Sequence, residues 1–284
     1  MKFDKVTVLG VGLIGASFAL AIRKEGLCRH IAGTGRSEQN LAKARDLGII
    51  DSYNLDPSAS CIDSELIFLS TPVGTFEDLI KKCSTSFRKG AIVTDAGSVK
   101  GSLVYKIEGL LPSHVRYIGG HPIAGSDRSG IDSSNAGLFR DALCIITPTE
   151  KSDAEALQIV TDMWKSLGSK VLQMEPETHD RIYGAVSHLP HVIAFMLMNT
   201  VHDIDPSYLE FSGQGFKDLT RIASSSPELW RDICLFNKEN LVPMLSLFQK
   251  HLELFRKYLN DSDPLSIERE FAEARKLRNG IGQN

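Results

Sequence analysis

The 284-residue chain has no apolar stretch near the roughly 18 residues of a membrane span; its longest strongly apolar run, Val192 to Met198, lies between His191 and Asn199. It has no basic excess either. Its 32 Lys and Arg stand against 35 Asp and Glu, giving a net charge of −3 and a pI near 6.3. That excludes a general nucleic-acid binder, which needs a positive surplus. The five cysteines, Cys28, Cys61, Cys83, Cys144 and Cys234, show no paired spacing. They read as reduced, mostly buried thiols of a cytoplasmic protein. The N-terminal Met1-Lys2-Phe3-Asp4-Lys5 lacks the apolar core of a signal peptide, which again points to the cytoplasm. An apolar content of 42% with 24% charged residues excludes disorder as the main state. The length suits two domains.

The first half alternates β-rich runs with helical patterns. Strands are predicted at Val6–Leu9, Ile31–Thr34, Leu66–Leu69, Ala91–Thr94, Val115–Ile118 and Leu143–Ile146, with a strand-like Lys170-Val171-Leu172 after them. Helical segments stand between most of them, which implies a Rossmann-type, doubly wound, mainly parallel sheet. Leu66–Leu69 and Ala91–Val93 are apolar on both faces, as strands covered from both sides require. From Pro176 onward the pattern is helical only. Ser226-Pro227-Glu228 and Asp263-Pro264 are helix starts. Leu241, Met244, Leu245, Phe248, Leu252 and Phe255 fall on one helical face. The expected division is a dinucleotide-binding domain over 1–173 and an all-helical substrate and dimerisation domain over 174–284.

Gly10-Val11-Gly12-Leu13-Ile14-Gly15 follows the first strand and opens a helix. In that context G-x-G-x-x-G marks a nicotinamide dinucleotide site. Gly10 permits the tight turn, Gly12 lets the pyrophosphate approach, and Gly15 lets the helix pack on the strand. The helix start offers unpaired amides and a positive dipole end to the phosphates. The second strand ends in Gly33-Thr34-Gly35-Arg36-Ser37. An acidic residue there would hold the ribose hydroxyls of NAD and repel a 2′-phosphate. Gly35 in its place, with Arg36 and Ser37 beside it, makes NADP the expected cofactor and NAD the second choice.

Three further segments carry polar residues that packing alone does not demand. They are 95–101, with Asp95, Ser98 and Lys100; 119–127, with His121, Ser126 and Asp127; and a helical group holding His179, Asp180, Ser187, His188, His191, Lys217 and Arg221. His121, between Gly119-Gly120 and Pro122, reads as a catalytic histidine on an irregular loop at the carboxyl edge of the sheet. No metal is expected, because the histidines lack an HExxH pattern and any cysteine pairing. Ser98 lies outside a Gly-x-Ser-x-Gly elbow, so a nucleophilic serine is not expected.

These segments resemble the prephenate/arogenate (cyclohexadienyl) dehydrogenases of tyrosine biosynthesis. The resemblance rests on Gly-x-Gly-Leu-Ile-Gly-x-Ser at 10–17, Ser70-Thr71-Pro72-Val73, and Asp-x-Gly-Ser-Val-Lys at 95–100. It continues through Gly-Gly-His-Pro-Ile-Ala-Gly at 119–125, Ser-His-Leu-Pro-His at 187–191, Phe-Lys-Asp-x-Thr-Arg-Ile-Ala at 216–223 and Trp-Arg-Asp at 230–232. It implies a dimer through the helical domain, a substrate cleft between the domains, His121 as catalytic histidine and Ser98 as the residue orienting it. It also implies Arg221 as the grip on a substrate carboxylate, with His191, His179 and Lys217 lining the substrate pocket. Ser126 and Asp127 are further substrate-side candidates, and Ser70, Thr71 and Pro72 are cofactor-side ones. Gln214 departs from a stretch that is often all glycine in the family.

The implied reaction removes hydride from C4 and CO2 from C1 of a cyclohexadiene as the ring becomes aromatic. A histidine near its ordinary pKa of ~6.5 suits the proton transfer, and a guanidinium suits one of the substrate carboxylates. Two alternatives stay open at this point. One is another two-domain NAD(P)-dependent hydroxyacid dehydrogenase or imine reductase. The other is a non-catalytic NAD(P)-sensing protein. Prephenate and arogenate are not separated.

Overall fold

The computed structural model describes residues 2–125 and 130–281. It opens as a βαβ unit: β1 (Phe3–Leu9), α1 (Leu13–Lys24) and β2 (Cys28–Thr34). Next come α2 (Glu38–Asp46), the two-residue β3 (Ser52–Tyr53), α3 (Pro57–Cys61) and β4 (Leu66–Leu69). Ser37 caps α2 by accepting the Asn40 amide at 3.2 Å, and Asp56 caps α3 through the Ser58 amide at 3.2 Å. Then follow α4 (Phe76–Cys83), β5 (Ile92–Asp95), α5 (Gly101–Leu110), β6 (Arg116–Pro122), β7 (Leu143–Thr147), α6 (Ala154–Ser166) and β8 (Lys170–Gln173).

The eight strands form one sheet in the order β3-β2-β1-β4-β5-β6-β7-β8. Neighbours from β3 to β6 are parallel, β6 and β7 are antiparallel, and β7 and β8 are parallel. The mainly parallel sheet agrees with the sequence reading; the reversal at β7 goes beyond it. No α-helix separates β6 from β7 among the described residues, and a parallel return needs a long, usually helical crossover. Every residue of β4 is buried. On one face Phe18 of α1 stacks on Phe68 at 3.9 Å, with Trp164 of α6 beside both. On the other, Phe76, Ile80, Leu103 and Val104 pack with Val93 and Tyr117.

His121 lies in strand, not in the irregular loop that its glycines suggested. β6 runs on through Gly119, Gly120, His121 and Pro122, paired with Thr147, Ile146, Ile145 and Cys144. The glycines answer to packing. A Cβ at Gly119 would stand 2.5 Å from Thr147 Oγ1, and one at Gly120 would stand 2.8 Å from the Asp95 carbonyl oxygen.

After β8 the described chain is helical: α7 (Pro176–Tyr183), a π-helical turn over Gly184–His188, α8 (Leu189–Ile204), α9 (Gln214–Thr220) and α10 (Pro227–Phe236). These complete a compact unit over 1–238. A second unit, 239–284, holds most of α11 (Lys238–Asn260) and α12 (Pro264–Gly280). Within it Asp263 caps α12 through the Ser266 amide at 3.1 Å, and Phe255 stacks on Phe271 at 5.5 Å.

Candidate active site

The carboxyl ends of β1, β2 and β4 open on a cleft of about 980 Å³. Gly10, Val11 and Gly12 form its floor, Thr34 to Ser37 one wall, and Ser70, Thr71 and Pro72 another. Gly10 has φ +103°, and a Cβ there would meet the Ser70 carbonyl oxygen at 2.9 Å. A Cβ on Gly15 would lie 2.1 Å from the Gly10 carbonyl oxygen, so α1 seats on the turn only with glycine there. Ser70 Oγ donates to that same carbonyl at 2.9 Å and holds the turn from below. In front of Gly12 a Cβ would meet nothing within 4 Å. Gly12 is also the N-cap of α1 and supplies no capping side chain. An open glycine before an uncapped helix start fits a dinucleotide pyrophosphate.

Leu13 and Ile14 form the first turn of α1, outside the cleft lining, so only their backbone is placed to serve a phosphate. Arg36 is exposed on the lining. The Ser37 hydroxyl caps α2, while Asn40 Nδ2 donates to the Val11 carbonyl at 2.8 Å and ties α2 to the glycine turn.

The second feature is a buried chain of three side chains. His121 Nδ1 lies 2.8 Å from His179 Nε2, and His179 Nδ1 lies 2.8 Å from Asp180 Oδ1. Asp180 also accepts the Lys100 amide at 2.7 Å, and a Cβ on Gly101 would come within 2.6 Å of its Oδ2. The carboxylate thus caps α5 from across the fold. Burial still pushes Asp180 up, to about 6. Burial, then the Lys100 charge, holds His179 down at about 2, so this ring is neutral. Burial first, then His179, Lys100 and His188, keeps His121 well below the ordinary histidine range.

Neutral rings and an ionised Asp180 leave one proton arrangement. His179 donates from Nδ1 to Asp180 and accepts at Nε2. His121 must then donate from Nδ1, which leaves its Nε2 unprotonated, with a lone pair able to accept. His188 belongs to the same cluster. Its Nδ1 accepts from Asn237 Nδ2 at 2.9 Å, and that amide also donates to the Asp180 carbonyl at 2.8 Å. The buried Nε2 of His188 has the Ser98 backbone beside it.

Below this chain sits a buried ion pair. Lys100 Nζ bonds Asp95 Oδ1, and both residues are at most 1% exposed. Asp95 also accepts from Tyr117 Oη at 2.7 Å, the Gly97 amide at 2.7 Å and the Gly120 amide at 3.3 Å. Four donors satisfy the carboxylate and tie the end of β5 to the residue before His121. Burial and Asp95 push the Tyr117 hydroxyl well above its usual pKa.

Other expected site residues are placed as follows. His191 is half-buried, with Nδ1 on the Ser187 carbonyl at 2.8 Å and its ring stacked on Trp230 at 3.6 Å. Arg221 is exposed, and its charge acts on His191. Lys217 is exposed on α9, and Gln214 opens that helix with Nε2 on Asp218 at 2.8 Å. Ser98 is half-buried on the 95–101 loop, and among the described residues no hydrogen bond joins it to His121; His179 holds that ring. His179 is fully buried with both nitrogens engaged inside the protein, so it presents neither of them to a pocket. Ser126 and Asp127 lie outside the described residues.

Asp180, Lys100, Asn237, Trp230 and Arg231 carry no role that the sequence alone assigns. Asp180 and Lys100 were visible as polar residues inside the quoted motifs, and Trp230 and Arg231 as part of Trp-Arg-Asp. Their partners, 57 to 80 residues away in the cases of Asn237 with Asp180 and of Asp180 with Lys100, were not.

Comparison with known proteins gives the same family at both ends. Residues 18–173 match the prephenate dehydrogenase nucleotide-binding domain, and residues 175–273 match the prephenate dehydrogenase dimerization domain. Prephenate dehydrogenase of Aquifex aeolicus, solved with hydroxyphenyl propionate and NAD+, superposes with a TM-score of 0.92 at 38% identity over 99% of each chain. Prephenate dehydrogenase of Bacillus subtilis is 33% identical over 98% of this chain and 76% of its own. Cyclohexadienyl dehydrogenase of Zymomonas mobilis is 31% identical over 97% and 95%. A glycine cradle and a buried carboxylate–histidine–histidine chain on one sheet edge, with both family domains matched in order, lead to one conclusion: the chain belongs to the prephenate dehydrogenase family.

Proposed function

We propose that the protein oxidises and decarboxylates prephenate to 4-hydroxyphenylpyruvate in tyrosine biosynthesis, with arogenate, giving tyrosine, as the alternative substrate. The observation that carries this reading is His121, held neutral with Nε2 unprotonated on the same sheet edge as the dinucleotide cradle. The relatives named prephenate and cyclohexadienyl dehydrogenase, and the NAD+ and hydroxyphenyl propionate of the Aquifex aeolicus complex, support it.

Bound in the cleft, a nicotinamide nucleotide supplies the acceptor for the hydride that leaves C4. Gly10, Gly12, Gly15 and the first amides of α1, including those of Leu13 and Ile14, hold its pyrophosphate. Ser70, Thr71 and Pro72 shape the wall beside the glycine turn. Arg36 with Ser37 supports NADP over NAD, because Gly35 leaves no carboxylate to repel a 2′-phosphate.

His121 Nε2 accepts the C4 hydroxyl proton as that oxygen gains carbonyl character. It returns the proton to the phenol oxygen when the C1 carboxylate leaves as CO2. The net reaction therefore releases no proton from the hydroxyl. His179 and Asp180 are positioning residues that set the tautomer of His121. Ser98 hydrogen-bonds the substrate hydroxyl. Arg221 binds a substrate carboxylate, with His191 beside it and Lys217, Ser126 and Asp127 as further contacts. The driving force is aromatisation, so the protein's task is chiefly orientation.

We place the domain boundary at 173/174 and the dimer contact in the helical part, in a cytoplasmic enzyme. The name of the matched dimerization domain supports the dimer. The test crosses prephenate and arogenate with NAD and NADP while following nicotinamide reduction. Turnover with at least one substrate, with CO2 and a 4-hydroxyphenyl product, is expected. No turnover in any of the four combinations overturns the reading.

A further inference from the structure

Three consecutive residues of α10 point three ways. Trp230, only 9% exposed, stacks on His191 at 3.6 Å. Asp232 is 7% exposed and leans on the turn at 73–75, where a Cβ on Gly74 would stand 2.3 Å from its Oδ2. α10 is therefore anchored at two sites, one against α8 and one against the wall of the cofactor cleft. Between the anchors, Arg231 lines that cleft with Gly10, Gly12 and Thr71. Its Nε and Nη2 both bond Asp232 Oδ1, at 2.8 and 2.7 Å, yet 64% of its side chain stays exposed.

This arrangement is costly without a ligand. A long side chain is held in one geometry at an open cleft, and exposed ion pairs return little stability for that ordering. A guanidinium held in place in advance is, by contrast, a good anion contact, because its ordering cost is already met. The acidic groups on the lining are Asp78, Glu228 and Asp232. Asp232 is taken up by Arg231 itself and by the Gly74 turn. The same lining holds the open glycine turn, where a phosphate would approach.

We propose that Arg231 is a contact for the cofactor's phosphate groups, supplied by the helical part of the chain to a site otherwise built on the sheet. This rests on the reading that the cleft takes a dinucleotide, and it can fail while that reading stands. It assigns Arg231 to the phosphates shared by NAD and NADP, not to the 2′-phosphate.

The test is binding, without turnover. Calorimetry compares ADP with adenosine on the full-length protein and on Arg231→Gln and Arg231→Lys. Arg231→Gln is expected to weaken ADP about tenfold, as loss of one charge-assisted contact does, and to leave adenosine unchanged. Arg231→Lys keeps the charge and recovers most of the ADP affinity. Two outcomes overturn the proposal: ADP binding to Arg231→Gln at wild-type strength, or equal losses for ADP and adenosine, which mark a wall residue. If wild type binds neither probe, the dinucleotide reading of the cleft fails, and this proposal with it.

Discussion

Nδ1 of His121 and Nε2 of His179 lie 2.8 Å apart, and that contact decides which nitrogen of His121 carries its proton. With His179 neutral and turned to Asp180, the free lone pair of His121 is on Nε2. His121→Asn is expected to lower kcat by roughly 10²–10⁴, the usual worth of a general base, and to leave cofactor binding nearly unchanged. Steady-state kinetics with a parallel cofactor titration measures both. Turnover within about tenfold of wild type would remove His121 from the chemistry.

Asp180→Asn tests the positioning role. An amide can donate to His179 and reverse both tautomers, putting a proton on the His121 nitrogen that must accept one. A loss of kcat of about 10- to 100-fold is expected, as for partners that orient other functional histidines. The substrate KM should change far less. A change confined to KM would instead make Asp180 part of the binding surface.

The pH dependence follows from burial. His121 stays neutral well below the ordinary range, so protonation of Asp180, held at about 6, and not of His121 near ~6.5, should set the acid limb of kcat/KM. An acid limb centred near ~6.5, with chemistry shown to be rate-limiting, would speak against a buried base.

Stability carries the same signature. His121, His179 at about 2 and His188 at about 4 are neutral when folded at pH 5, and each takes up a proton on unfolding. Asp180, held at about 6, is protonated in the folded state there and releases its proton on unfolding. Three protons gained against one released leave about two, so unfolding free energy should drop with falling pH by about 3 kcal/mol per unit near pH 5. Denaturant titrations at three pH values between about 7 and 5 measure the slope. A midpoint that rises toward pH 5 would contradict these assignments.

Lys100→Met leaves Asp95 charged and buried without its cation. A loss of about 3–5 kcal/mol is expected, and adding Asp95→Asn should recover part of it. Equilibrium unfolding of the single and double variants reads the coupling. A single variant as stable as wild type would mean that Tyr117 and the Gly97 and Gly120 amides suffice to hold the carboxylate.

Much of this was legible before any coordinates. Strand–helix alternation located seven of the eight strands, because period and apolar content are local properties. β3 escaped because Ser52–Tyr53 has no length over which a period can show. The glycine fingerprint was readable because each glycine answers a local geometric demand. His121 stands on a different backbone from the one expected: Gly119 and Gly120 suggest a loop, whereas they clear room for Thr147 and Asp95 within a strand. The tautomer-setting pair was not readable, since His121 and His179 are 58 residues apart and nothing in either motif announces the other. Arg231 was hidden for a related reason, because its cleft-side neighbours, Gly10 to Gly12, lie at the other end of the same unit.

The proposed NADP preference rests on Gly35 and Arg36, and the geometry makes its test clean. A Cβ at Gly35 would meet Leu41 Cδ2 at 3.7 Å, an ordinary contact. An aspartate therefore fits without moving α2. It would bring a carboxylate to the ribose end of the cleft, repelling a 2′-phosphate and accepting from the ribose hydroxyls of NAD. Gly35→Asp should thus move the preference toward NAD and not merely damage both cofactors. Arg36→Ala should weaken NADP by about tenfold and scarcely touch NAD, the low end of a charge-assisted contact because Arg36 is exposed. Ser37 keeps its hold on the Asn40 amide in both variants, so a loosened α2 would show as equal losses for the two cofactors. The ratio of kcat/KM for NADP to that for NAD, across the three proteins, decides it. A wild type that already prefers NAD, or a ratio unmoved by either substitution, would take the 2′-phosphate off this loop.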